Sequence, residues 1–147
     1  MGMFQSFDIS ASGMTAERFR TDIIAENVAN VNTTSTEDGT PYRRKIVTFE
    51  EKNVTPFSNV LANTRQTAVG NGVKVSKVTE DYETDFTKEY DPSNPDADEN
   101  GYVSYPNVNI VTEMTNLIDA SRAYEANVTA FDASKSMAQA GLQIGKS

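Results

Sequence analysis

Apolar and small residues recur at helical spacing from Phe4 to about Val31. Phe7, Ala11, Met14, Thr21, Ala25 and Val28 follow steps of three, four and seven. Ile9, Ala16 and Ile23 form a second stripe, with Phe19 beside it. The spacing predicts a long helix with two buried faces, more than a single partner helix requires. Asn27, Asn30, Asn32, Thr33 and Thr34 close the run. Their side chains compete for backbone hydrogen bonds and favour a helix stop.

The pattern changes over residues 35–104. Asp38-Gly39-Thr40-Pro41 is a turn signal, and Tyr42 to Phe49 is rich in β-branched and aromatic residues, as a strand requires. Gly70-Asn71-Gly72 precedes Val73-Lys74-Val75-Ser76-Lys77-Val78. Asn-Gly is a favoured hairpin turn, so strands are predicted on both sides of it. Asp85–Tyr90 is a further short strand candidate. The stretch DPSNPDADENGYVSYP then brings three prolines and an Asn100-Gly101 turn.

From about Asn107 to Ile144 helical spacing returns. Ile110, Leu117, Tyr124, Phe131 and Ala138 lie seven apart, and Met114, Ser121, Val128, Lys135 and Leu142 alternate with them. Eight of these ten positions are apolar, which makes a heptad seam over five repeats. A helix of this length extends about 55–60 Å at 1.5 Å per residue. Two arrangements answer the seam: an intramolecular helical hairpin, or pairing of the two terminal helices with their outer stripes packed on neighbours. The predicted fold is α+β, with long N- and C-terminal helices pairing as a coiled-coil-like hairpin around a small β-rich middle module. The segments are 1–34 helical, 35–104 β-hairpin and loop, and 105–147 long helix.

Composition narrows the chemistry. The 147 residues include no Cys and no His, and 13 basic against 21 acidic residues leave a net charge of −8. Thiolate nucleophiles, zinc-thiolate sites and Ser-His-Asp triads are therefore excluded. The acidic balance argues against nucleic-acid binding, which needs a basic face. No stretch approaches the ~20 apolar residues of a membrane span. The opening MGMFQSFDISASGM has neither a basic n-region nor an apolar h-region, so no cleaved secretory leader is expected.

Three polar clusters compete for attention. Asp96-Ala97-Asp98-Glu99-Asn100-Gly101 matches the first half of a calcium loop, but Asn107 stands where the bidentate Glu would complete the cage. The ordinary reading is an acidic turn leading into the last helix. Arg43-Arg44-Lys45 is the densest basic patch and is expected on a solvated strand face or against an acidic neighbour. Asp81, Glu83 and Asp85 alternate as on a solvated strand edge. No constellation here performs chemistry, so no enzyme, cofactor or metal is expected. A structural or interaction protein is favoured over a carboxylate-based hydrolase.

FDISASGMTAERFRTDIIAENVANVNTT resembles the N-terminal signature of the bacterial flagellar rod and hook proteins. The resemblance lies in the Ser12-Gly13-Met14 step, the long helix, and the Ala29-Asn30-Val31-Asn32-Thr33 close. Thr36 to Lys45, DPSNPDADENGYVSYPNVNIVTEM and MTNLIDASRAYEANVTAFDASKSM are similar to the C-type proximal-rod branch of that family. Residues 50–85 carry little of it. Glu26 departs from the Asn or Gly of many relatives, and Thr34-Ser35-Thr36 replaces the aromatic that follows the Asn-Thr pair in others.

The resemblance implies a non-enzymatic subunit of the basal-body proximal rod, the drive shaft that transmits torque. It implies partners among other rod subunits and neighbouring basal-body proteins, and export by the flagellar type III apparatus without a cleaved signal. The expected location is the rod in the cell envelope, without membrane insertion. The residues expected at assembly interfaces are Met14, Phe19, Ile23, Val28, Asn30 and Asn32, with Met114, Leu117, Tyr124, Val128, Phe131 and Leu142. A soluble adaptor using the same helices in a small stoichiometric complex is the alternative.

Overall fold

The computed structural model describes residues 3–52 and 70–145. Its elements are helix α1 (Met3–Ala29), strands β1 (Lys45–Glu51), β2 (Val73–Glu80), β3 (Thr87–Tyr90) and β4 (Tyr102–Tyr105), and helix α2 (Ile110–Ile144). β1 and β2 form one two-stranded sheet, and β3 and β4 form another. The strand predicted before Gly70 lies outside the described residues.

The described residues fall into two compact units. In one, formed by 3–19, 49–52, 70–76 and 120–145, α1 and α2 pack antiparallel. Phe7 meets Phe131 with ring centroids 4.9 Å apart. Gly13 is buried, and a Cβ there would lie 2.7 Å from Asn127 Oδ1. The closest approach of the helices therefore runs through a glycine. The buried positions of α1 in this unit are Ser10, Gly13 and Ala16, and that of α2 is Ala120. Small residues bring the backbones together, which leaves the larger apolar side chains on the flanks. Gly72, at φ +94°, brings the start of β2 against α1. There Ser12 Oγ donates to the Ile9 carbonyl at 2.7 Å and accepts from Val73 N at 3.1 Å.

The second unit, 20–48 and 77–119, holds the end of α1, the start of α2 and the β3–β4 hairpin. β3 and β4 pair antiparallel, with Thr87 opposite Tyr105 and Tyr90 opposite Tyr102. Ile24, Tyr42, Val103 and Pro106 are its buried apolar side chains. They share the interior with Asn27, Asp81, Asn107 and Glu113. Asn109 caps α2, its Oδ1 accepting from Val111 N at 3.0 Å and Thr112 N at 3.2 Å, so the helix begins at Ile110 rather than Asn107.

Three expectations are corrected here. The strand predicted from Tyr42 begins at Lys45. Asp81 to Asp85 is a turn, not a strand edge: Asp81 is buried and accepts from Glu83 N, Thr84 N and Thr84 Oγ1. The acidic turn 96–101 does not lead directly into the last helix, because β4 lies between them.

Candidate functional site

The second unit is organised around a buried polar hub. Asn27 and Glu113 are each only 1% exposed. Asn27 Oδ1 accepts from Tyr42 OH at 2.8 Å and Lys45 N at 2.9 Å. Its Nδ2 donates to the Lys45 carbonyl at 2.9 Å and to Glu113 Oε2 at 3.2 Å. Four bonds use the full capacity of a carboxamide. Glu113 Oε1 accepts from Arg44 Nε at 2.9 Å and pairs with Nη2 at 2.8 Å. A buried carboxylate needs such a charged, hydrogen-bonded partner to remain ionised without a large cost.

Asn107 extends the hub. Its Oδ1 accepts from Arg44 N at 2.8 Å, and its Nδ2 donates to the carbonyls of Asp81 and Thr84. Burial, reinforced by the nearby charges of Glu26, Glu113 and Glu80, pushes the Tyr42 phenol up to about 12. For Asp81, burial works against ionisation, but the Thr84 and Glu83 hydrogen bonds and Arg44 outweigh it and hold the carboxyl below its ordinary value.

The basic run is therefore not a solvated strand face. Arg44 and Lys45 meet acidic partners within the chain, Glu113 and Glu26. Arg43 lies between the Tyr82 and Phe86 rings, 4.4 and 4.2 Å from their centroids. The acidic turn is also tied internally. Thr34 Oγ1 donates to Asp96 Oδ2 at 2.7 Å, and Asp98 Oδ1 accepts from the amides of Asn100 and Tyr102. Among the described residues no group of three or more acidic side chains could hold a metal ion.

The residues expected at interfaces separate into two sets. Phe131 packs on Phe7 within the first unit. Met14, Ile23, Val28, Leu117 and Val128 are half-buried. Phe19, Met114, Tyr124 and Leu142 remain exposed, Met114 by 55% and Leu142 by 67%. Ile110, Val111, Ile118, Met137 and Ile144 add further exposed apolar side chains on α2. Asn30 closes the helix: its Nδ2 donates to the Glu26 carbonyl at 2.9 Å, and its Oδ1 accepts from Thr33 Oγ1 at 3.2 Å. Asn32 is exposed.

Sequence reasoning missed the hub. Asn27 appeared only as a helix-stopping residue, and Glu113, Asn107 and Arg44 were not connected. The available signal was a polar residue on the inward side of each helix, together with a basic run two residues after a turn.

The arrangement is one of fixed contacts and uncovered apolar helix surface. Chains with the same sequence pattern are known. A family model described as "Flagella basal body rod protein" matches residues 7–35, and one described as "Flagellar basal body rod FlgEFG protein C-terminal" matches residues 99–144. The chain is 45% identical to flagellar basal-body rod protein FlgC of Bacillus subtilis, with 99% of this chain and 100% of the relative covered. It is 41% identical to the Borreliella burgdorferi protein of that name over 98% of each chain. Identity to the Salmonella typhimurium FlgC is 40%, covering 99% of this chain and all of the relative.

Proposed function

The chain belongs to the flagellar basal-body rod protein family, and from that premise we propose that it is a structural subunit of the proximal rod. It assembles with other rod components and neighbouring basal-body proteins through its terminal helices, and it transmits torque without chemistry of its own. The observation that carries this reading is the exposed apolar surface along α2, from Val111 and Met114 to Leu142 and Ile144. Surface of this kind marks an interaction site, because water leaves it uncompensated. Each Leu- or Met-sized side chain buried by a neighbour contributes roughly 1.5–3 kcal/mol. Head-to-tail contacts that do not close generate a helical tube.

The expected division of labour follows the chain. Helices α1 and α2, within the expected segments 1–34 and 105–147, build the rod, and the expected segment 35–104 supplies the module between them. Met14, Phe19, Ile23, Val28, Asn30, Asn32, Met114, Leu117, Tyr124, Val128, Phe131 and Leu142 serve assembly, some by pairing α1 with α2 and others by meeting neighbours. Export through the flagellar apparatus without a cleaved signal keeps Phe7 and Gly13, which belong to the helix pair. Among the described residues no helix is long and apolar enough to cross a membrane.

Deletion of the gene tests the reading. Loss of flagella, restored by the intact chain, together with recovery of the chain in purified basal bodies, is the expected result. Normal flagellation without it, or recovery only in a soluble stoichiometric complex, overturns the rod assignment in favour of an adaptor.

A further inference from the structure

Of the eight strand residues of the β3–β4 hairpin only Val103 is buried. Val103 is fully buried, whereas all four residues of β3 are exposed. On the other face Tyr90 and Tyr102 sit directly opposite each other and meet edge-on, with ring centroids 5.3 Å apart. They remain 64% and 45% exposed. The pair is held rigidly. Gly101, at φ +80°, lies under the Tyr90 ring, where a Cβ would come within 2.9 Å of Cε2. β3 is bonded only to β4, so its outer edge is also without a partner strand among the described residues.

A groove of about 320 Å³ borders this face. Its lining includes Thr34, Pro41, Asp96, Asp98, Tyr102 and Ser104. Asp98 is fixed by amides of its own turn and feels the charge of Lys88, which shares the Tyr90 face of β3, and Asp96 is held by Thr34. Residues 77–101 hold nine acidic residues against two lysines, which is seven of the chain's eight net negative charges. A second copy of the same face is therefore a poor partner. The densest basic run of the chain, Arg43–Lys45, is turned inward onto Glu113, Glu26 and two aromatic rings, so it does not supply the complement either.

We propose that the Tyr90–Tyr102 face of the β3–β4 hairpin, with its Asp96–Asp98 groove, docks a lysine- or arginine-bearing surface of a different protein. The tyrosines supply rigid apolar area with hydroxyl ends, a chemistry enriched at interfaces. They also accept a cation over the ring. The two carboxylates select the sign of the partner and set its register. The surface is separate from the apolar stripe of α2. The inference rests on the rod reading only for the place where the partner is met.

The test is a photo-cross-linking amino acid at position 102 of the full chain, in cells that depend on this chain for their flagella. Motility of the same cells reports whether the rod has formed, which separates a failure of the rod reading from a failure of this inference. The expected result is a cross-link to a Lys- or Arg-containing segment of another protein in motile cells. Asp96→Asn with Asp98→Asn keeps one acceptor oxygen for the turn at each position, exchanges the other for an amide NH2, and removes the charge. Exposed pairs each contribute up to about fivefold, so the double substitution lowers the cross-link yield about tenfold. Cross-links only to further copies of this chain, no cross-link in motile cells, or a yield unchanged by the double substitution would each overturn the proposal.

Discussion

Asn27→Ala removes the centre of the polar hub and leaves its surroundings in place. Four groups lose a partner: the Tyr42 hydroxyl, the Lys45 amide, the Lys45 carbonyl and Glu113 Oε2. A buried polar group left unsatisfied costs about 1–3 kcal/mol. With the three neutral groups at the low end and a further increment for the carboxylate, the expected loss is about 4 kcal/mol. That is a large part of the 5–15 kcal/mol typical of a folded domain. At roughly 2–4 °C per kcal/mol for a chain of this size, the thermal midpoint falls by about 10–15 °C. Far-ultraviolet circular dichroism of the full chain measures it.

Asn27→Asp sharpens the test. It keeps the acceptor for Tyr42 and Lys45 N but turns an oxygen towards the Lys45 carbonyl and Glu113. The new carboxylate is buried beside the Glu113 carboxylate, so its own folded-state pKa is raised. A raised folded-state carboxyl pKa means that the variant recovers stability as pH falls and the introduced carboxylate takes up a proton. A midpoint shift below about 3 °C for Asn27→Ala, or no acid recovery for Asn27→Asp, refutes the hub as a source of stability.

Gly13→Ala gains helix propensity of up to about 1 kcal/mol but forces a methyl into the Asn127 amide, at about 1–3 kcal/mol. Urea unfolding should show net destabilisation, reversed in the Asn127→Ala background. The Tyr42 phenol is raised to about 12, so its neutral form stabilises the fold fully below pH 10 and that contribution is lost as pH rises through 12. Titration of stability over pH 9–12 should show an alkaline decline of up to about 2 kcal/mol that Tyr42→Phe lacks. Phe131→Ala removes the ring contact with Phe7 and loosens the end of α2. Tryptic cleavage at Arg122 and Lys135 should then be faster than in the unaltered chain.

Both long helices were legible because their apolar spacing persists for many turns, and periodicity is a local property. The Val73 strand was legible from its β-branched alternation after an Asn-Gly turn. The β4 strand was not, because Tyr102 to Tyr105 is only four residues long and follows a proline-rich loop. Asp81 was misread for a related reason: its acidic neighbours alternate as a strand edge would, yet its side chain folds back on Thr84. The hub was invisible because its bonds join residues far apart in the chain, as Asn27 and Glu113 are. Periodicity named only part of the buried side of α1. Ala16, on the second stripe, is indeed buried, but so are Ser10, Gly13, Ile24 and Asn27, which lie on neither stripe, whereas Phe19 stays exposed. The family signature at Ser12-Gly13-Met14 acquires a physical reason there, since Ser12 holds the start of β2 and Gly13 admits Asn127.

The central claim is that the exposed apolar face of α2 builds the rod while the chain's own packing does not depend on it. Motility, with basal-body incorporation scored in the same cells, tests this most directly for Met114→Asp and Leu142→Asp. Both side chains are exposed, so the purified variants should unfold at the same temperature as the unaltered chain. The account predicts loss of swimming and absence of the variants from purified basal bodies at normal expression. Normal swimming with full incorporation of both variants would contradict it.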